Sequence, residues 1–109
     1  MRAALEKALD DRSSRRFVRP SIPDHALLQG IGAGAYGDVW LARSALGYLR
    51  AVKVVYRDRF DEERPFQREF HGILKYEPIS RTHEGLVAVL HVGHNEECGY
   101  YYYVMEFSC

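Results

Sequence analysis

The spacing of apolar and polar residues changes period twice along the chain, and each stretch between predicts an element. His25-Ala26-Leu27-Leu28-Gln29-Gly30-Ile31 predicts a first strand, with Gly30 placed to permit a bulge. Val39 to Ala42, opened by a β-branched residue and an indole, predicts a second strand. Ser44-Ala45-Leu46-Gly47 reads as a turn, and Tyr48 to Tyr56 returns as a third strand. Short connections keep the closure entropy of this antiparallel meander small. Asp58 to Glu63 is charged and loop-like. The period then becomes helical: Phe66, Phe70, Ile73 and Leu74 stand at offsets 0, 4, 7 and 8, one face of a helix. Pro65 suits the first turn, Asp61, Glu62 and Glu63 sit near the positive end of the dipole, and Glu62 and Glu63 cap the start. Gly72 weakens the interior by about 1 kcal/mol relative to alanine, and Pro78 ends the helix. Thr82-His83-Glu84-Gly85 is a turn, Leu86 to Val92 a fourth strand, Asn95 to Gly99 a turn, and Tyr100 to Phe107 a fifth strand. Its four consecutive tyrosines are expected to alternate between core and surface.

Length bounds this to one small domain: 109 residues. With 47% hydrophobic and 28% charged residues the composition is that of a soluble globular protein. The formal net charge is zero, so bulk electrostatics point to neither a nucleic-acid nor a membrane partner. The zero hides an asymmetry, because Met1 to Pro20 holds six basic residues (Arg2, Lys7, Arg12, Arg15, Arg16, Arg19) against three acids. Ala3, Ala4, Leu5, Ala8 and Leu9 give this leader a short helical apolar face, and Arg12 to Arg19 reads as a basic linker that Pro20 and Pro23 close. No apolar run approaches the ~20 residues of a membrane span, and Glu6, Lys7, Asp10 and Asp11 interrupt any signal-peptide core. The two cysteines, Cys98 and Cys109, make no disulfide framework, which fits a reducing, cytoplasmic setting.

The chemistry gathers at Ile31-Gly32-Ala33-Gly34-Ala35-Tyr36-Gly37-Asp38-Val39, a G-x-G-x-x-G-x-V pattern, and at Ala51-Val52-Lys53. Glycines 32, 34 and 37 let a backbone turn sharply and approach a phosphate chain. Lys53 leaves an otherwise apolar run, Leu49 to Val55, so its ammonium is available to negative charge under the turn. A dinucleotide-binding fold uses similar glycines but needs a helix after them, here at Asp38 to Arg43. The strand formers in that stretch predict strand, glycine turn, strand instead.

At these residues the sequence resembles a protein kinase. Ile31 to Val39 is similar to the glycine-rich loop over ATP, and Ala51-Val52-Lys53 to the third-strand lysine motif. Arg68-Glu69, within Phe66 to Leu74, is similar to the family's αC helix, and Val104-Met105-Glu106-Phe107 to the end of its fifth strand and hinge. The resemblance covers about Asp24 to Cys109, with Met1 to Pro23 left as a basic leader with a short helix. It implies an α+β fold: a kinase-like N-lobe of five antiparallel strands and one packed αC helix, cut at the hinge.

The resemblance also implies roles. Lys53 contacts the α- and β-phosphates of ATP, and Glu69 pairs its ammonium. Glu62 and Glu63 compete for the latter role from before Pro65, whereas Glu77 comes too late, beside Pro78. Ile31, Gly32, Ala33, Gly34, Ala35, Tyr36 and Gly37 cover the nucleotide, with Tyr36 at the loop tip. Val39 and Ala51 roof the adenine, Met105 stands behind it, and the backbone of Glu106 and Ser108 meets the base edge. Ile73 and Val89 join the apolar stack between helix and sheet. His83 to Val87 matches the short loop before the family's fourth strand.

A metal reading is set aside: His91, His94 and Cys98 lack paired zinc spacing, and the odd offset of the two histidines sends them to opposite faces of a strand. No H-R-D-type or D-F-G triplet occurs, so the Mg²⁺ ligands would lie in a second lobe. The expected function is the ATP-binding lobe of a serine/threonine kinase that transfers the γ-phosphate of ATP to hydroxyls of a protein substrate, inactive as this piece alone. The alternative is a non-catalytic nucleotide-binding or interaction module.

Overall fold

The computed structural model describes residues 19–107. The expected leader helix, most of the basic linker, Ser108 and Cys109 lie outside the described residues. Five strands and one α-helix follow in the order β1 (His25–Ala33), β2 (Gly37–Ser44), β3 (Leu49–Tyr56), α1 (Glu63–Ser80), β4 (Val89–Asn95) and β5 (Tyr100–Glu106), with a single 3-10 turn at Arg57–Arg59 before the helix. The strands form one antiparallel sheet in the order β1-β2-β3-β5-β4. The described residues thus form an α+β fold with one five-stranded sheet and one α-helix. Residues Asp38 to Arg43 are strand, so the helix a dinucleotide-binding fold would need there is absent. Among the described residues, no helix is long and apolar enough to cross a membrane.

Each strand runs as the alternation requires, with shifts at the ends. β1 extends past Ile31 to Ala33 and its pairing with β2 slips twice, between Leu27 and Gln29 and between Gly30 and Gly32. Leu28 and Ile31, the residues skipped, are exposed, as an unpaired bulge residue usually is. β4 starts later than the apolar run predicts, at Val89, because Leu86 and Val87 remain exposed on the approach from the helix.

Both faces of the sheet are covered. On one, Trp40, Ala42, Val52, Val54, Tyr100, Tyr102 and Val104 form a core closed by Ile22. Ser21 contributes a carbonyl that accepts from the Tyr100 hydroxyl at 3.0 Å. On the other, Val55 and Tyr101 meet Phe66 of α1, flanked by Phe60, Phe70, Ile73 and Tyr103. This double cover overturns the alternation expected of the tyrosines: Tyr100, Tyr101 and Tyr102 are all buried, and Tyr103 is half-buried. A strand packed on both sides has no solvent face to which alternate side chains can turn.

Helix α1 departs from expectation in three places. It runs through Pro78 to Ser80. Proline removes one hydrogen bond near the end of the helix, while the Ser80 hydroxyl donates to Glu77 O at 2.7 Å and accepts the Val89 amide at 2.8 Å, fastening the last turn to β4. The Arg81 guanidinium adds a bond to Val89 O at 2.9 Å. Leu74 is exposed, because eight residues of helix turn it about 80° from Phe66. Glu62 occupies the N-cap without a side-chain capping bond, whereas Glu63 pairs with Arg57 at 3.1 Å and accepts from the Gln67 amide at 2.9 Å.

Burying tyrosines makes stability sensitive to alkali. Burial, with the negative charge of Asp38 adding, pushes the Tyr56 phenol up to about 12. Burial and then the Glu69 charge raise Tyr101 and Tyr103, and burial followed by Tyr100 and Asp24 raises Tyr102. A raised pKa means the folded state holds the proton more tightly than the unfolded chain, whose phenols ionise near pH ~10. The resulting stability is complete below that pH and is lost as pH climbs through the folded values. Urea midpoints should therefore fall steeply above about pH 10, with tyrosinate absorbance appearing together with loss of the near-UV circular dichroism. Tyrosinate absorbance from all phenols near pH ~10 in a protein that stays folded would contradict the burial of this quartet.

Candidate functional site

The register of β3 decides which side chains share a face. Val39 of β2 stands opposite Lys53, and Tyr103 of β5 stands opposite Lys53 on the other side. Two residues along, Leu41 and Met105 flank Ala51 in the same way. Direct cross-strand partners project to one face of a sheet, and here it is the face on which α1 packs, since the next pair in the row, Val55 and Tyr101, is buried against Phe66. The helix covers only that end. Val39, Ala51, Lys53, Tyr103 and Met105 are half-buried, forming an apolar strip with one ammonium at its middle.

The glycine turn closes the end of this strip. It connects β1 to β2 at residues 34–36, and the Gly34 amide donates across it to Gly37 O at 2.8 Å. None of Gly32, Gly34 and Gly37 has positive φ; among described glycines only Gly47 and Gly99 do. What glycine supplies here is close approach. A Cβ on Gly37 would stand 2.1 Å from Val54 O, while one on Gly34 would lie 3.4 Å from Gly37 O and one on Gly32 would make ordinary contact with Val39 at 3.7 Å.

A buried ion pair ties this turn to the segment before α1, and the sequence reasoning missed it. Asp38 follows the parity of Trp40 and Ala42, so its carboxylate enters the core face, where it is 1% exposed. The Arg59 guanidinium meets it with two bonds of 2.9 Å, one to each oxygen. It also donates to Gly34 O at 3.3 Å and lies 4.6 Å over the Tyr56 ring. The bonds to Asp38 hold the Arg59 proton more tightly than usual. The Tyr56 amide donates to Tyr36 O at 3.0 Å. The Tyr36 ring stacks on Phe60 with centroids 4.4 Å apart, and Phe60 stands edge-on to Phe66 at 5.5 Å. Bonds and rings thus join the loop tip to the first turn of the helix. The sequence carried one signal for Asp38: an acid on the parity of a tryptophan and an alanine in a strand with a buried face.

The proposed site residues distribute as follows. Lys53, Val39, Ala51 and Met105 lie on one sheet face, and Gly32 pairs with Val39 at its edge. Ile31, Ala33, Gly34, Ala35 and Tyr36 are exposed along the turn, and Gly37 is buried. Glu106 is exposed opposite Arg50, and its amide donates to Ala88 O at 3.2 Å. Glu69 lies exposed on α1, and its charge acts on Tyr101 and Tyr103. Lys53 and Glu69 form no ion pair with each other; among the described residues neither has one. Of the two strand histidines, His91 leans on Tyr102 and His94 stands edge-on to Phe70, on opposite faces. No three His, Cys, Asp or Glu side chains converge among the described residues. A small cavity of about 60 Å³ between α1 and the β4–β5 hairpin, walled by Phe66, Phe70, His94 and Tyr101, contains none of the proposed site residues.

No protein-family model matches the chain, and a search of curated proteins finds no match to it.

Two predictions test this geometry. Substituting Gly37→Ala should cost about 2 kcal/mol or more through overpacking against backbone, with Gly34→Ala milder and Gly32→Ala mildest, an order readable from thermal melts. Arg59→Met strands a carboxylate that is almost fully buried and should cost about 3 kcal/mol in urea unfolding. Asp38→Asn should cost less, because the Arg59 side chain, 25% exposed, can turn to water; the reverse order would contradict the pair as described.

Proposed function

We propose that the chain is the ATP-binding lobe of a serine/threonine protein kinase. The observation that carries this reading is the β3 register, with Val39 opposite Lys53 and Ala51 opposite Met105 beside a glycine turn. The strand order β1-β2-β3-β5-β4, with a helix between β3 and β4, supports it. The residues fit the nucleotide in two respects. Val39, Ala51 and Met105 offer half-buried apolar surface to a planar base, and among the described residues the Lys53 ammonium is uncommitted to any carboxylate. In this reading the turn lies over the triphosphate, Lys53 meets its α- and β-oxygens, and Glu69 orients that ammonium.

No cluster of acids in the described residues suits Mg²⁺, so the reading assigns its ligands, and the aspartate that accepts the substrate proton, to a second lobe. Phosphoryl transfer rests on positioning and charge stabilisation, and these 109 residues carry only part of both. The chain alone is expected to transfer no phosphate and to bind ATP weakly at best.

A second reading, a non-catalytic nucleotide-binding or interaction module, is favoured by one observation: Lys53 and Glu69 are unpaired with each other. The reading frame beyond residue 109 discriminates. Catalytic and metal-binding aspartates within roughly 150 further residues, one domain length, support the kinase. In a protein carrying both lobes, Lys53→Met should abolish phosphoryl transfer to a protein substrate, measured with labelled ATP. Retained turnover removes Lys53 from its assigned role.

A further inference from the structure

Helix α1 uses one face for the fold and leaves a distinct chemistry on the other. Phe66, Phe70 and Ile73 turn inward. Opposite them, Arg64, Arg68, His71 and Lys75 succeed one another at steps of four, three and four. At about 100° per residue they fall within a sector of about 60°, and they span about 16 Å of the helix axis. All four are exposed, and with Gln67 and Gly72 they line one shallow groove. Gly72 leaves its floor open, since nothing lies within 4 Å of where a Cβ would stand.

This row is unneutralised. Among the described residues, Arg64, Arg68 and Lys75 have no hydrogen bond or ion pair. The helix's own acids are engaged elsewhere or turned aside: Glu63 with Arg57 and Gln67, Glu77 with Arg81, and Glu69 toward Tyr101 and Tyr103. Like charges four apart, as at Arg64 and Arg68, destabilise a helix. A merely solvated face would gain by interleaving signs. From Asp24 onward the chain has twelve acids to nine bases, yet three of those bases stand together on this one row without an acid among them.

We propose that this row is a docking site for an acidic polypeptide segment of a partner protein, whose carboxylates pair with Arg64, Arg68 and Lys75. The row's length matches about five residues of extended peptide. It is one side chain wide, which suits a single extended segment rather than the broad phosphate array of a nucleic acid. The groove holds no Phe, Tyr or Trp on which bases would stack, its one ring being the His71 imidazole, and no large apolar side chain to enter lipid. The inference stands independently of the nucleotide reading, which uses the other face.

The test is fluorescence anisotropy of the 109-residue chain with a fluorescein-labelled oligoglutamate peptide at low salt. The double variant Arg64→Gln/Arg68→Gln, which keeps good helix formers, should bind about tenfold more weakly. The charge-matched variant Arg15→Gln/Arg16→Gln in the leader should change affinity less than about twofold. Peptide-induced amide shifts should map to residues 63–75, and binding should weaken with salt. The proposal is overturned by undiminished binding in the helix variant, by equal loss in the leader variant, or by shifts that map elsewhere. Tighter binding of single-stranded DNA or of phosphatidylserine vesicles than of the peptide overturns it equally.

Discussion

The pairing of β3 with both neighbours is the constraint on which the rest of the molecule depends. β3 is the middle strand, and every feature that carries chemistry is positioned by what lies across from it: Val39 and Tyr103 beside Lys53, Leu41 and Met105 beside Ala51, Gly37 and Tyr101 beside Val55. Side chains alternate strictly, so a slip of one residue would send Lys53 into the Trp40 core and bring Val52 to the helix face. Burying a lysine there without a partner is prohibitive. The register is further locked at its end by Gly37, where Val54 O comes so near that no side chain fits.

The Asp38–Arg59 pair belongs to the same lock. Two charges taken out of water gain little net stability even when well paired, so the pair is a poor stabiliser in itself. Its value is geometric. A bidentate guanidinium fixes both position and angle, and this one reaches from the segment after β3 to the first residue pair of β2, touching Gly34 O on the way. With Tyr36 stacked on Phe60, the turn between β1 and β2 is held from below by a salt bridge and from beside by rings. Among residues 32–37 only Tyr36 has side-chain entropy to lose on ordering, and the segment is kept in place by Arg59 and by the Tyr36–Phe60 stack.

Much of this fold was legible because its signals are local. Strand alternation in β2 and β3, the change of period at Phe66, and Pro65 in the first turn of the helix each depend on residues within a few positions. What was not legible depended on partners far along the chain. Three adjacent buried tyrosines require knowing that Ile22 covers one face of β5 and Phe66 the other. The helix outlasts Pro78 because Ser80 meets the Val89 amide, a contact set by β4. Leu74 reads as core by spacing and is exposed, standing about 80° round the helix from Phe66. The glycines were read for their freedom to turn, yet Gly37 matters for the approach of Val54, which only the β2–β3 register reveals. Asp38 was passed over because an acid in a strand is ordinarily a surface residue, and its partner lies 21 positions away.

The separation of Lys53 from Glu69 follows from how the helix is fastened. At its C-terminal end α1 is bound to β4 through Ser80 and Arg81, and at its start through Glu63 to Arg57 and through Phe66 to Phe60 and Tyr101. Neither set involves Lys53. Between them the helix rests on Tyr101 and Tyr103, the phenols that feel the Glu69 charge, and Tyr103 is the cross-strand neighbour of Lys53. An ion pair from Lys53 to Glu69 would therefore have to form past Tyr103, on a stretch of helix that neither fastening reaches. The fastening at the start is the more exposed, through the Arg57–Glu63 pair and the Tyr36–Phe60 stack, whereas the Ser80 clasp is buried. The loop tip and the helix start are thus joined through one ring, Phe60, which stacks on Tyr36 and stands edge-on to Phe66.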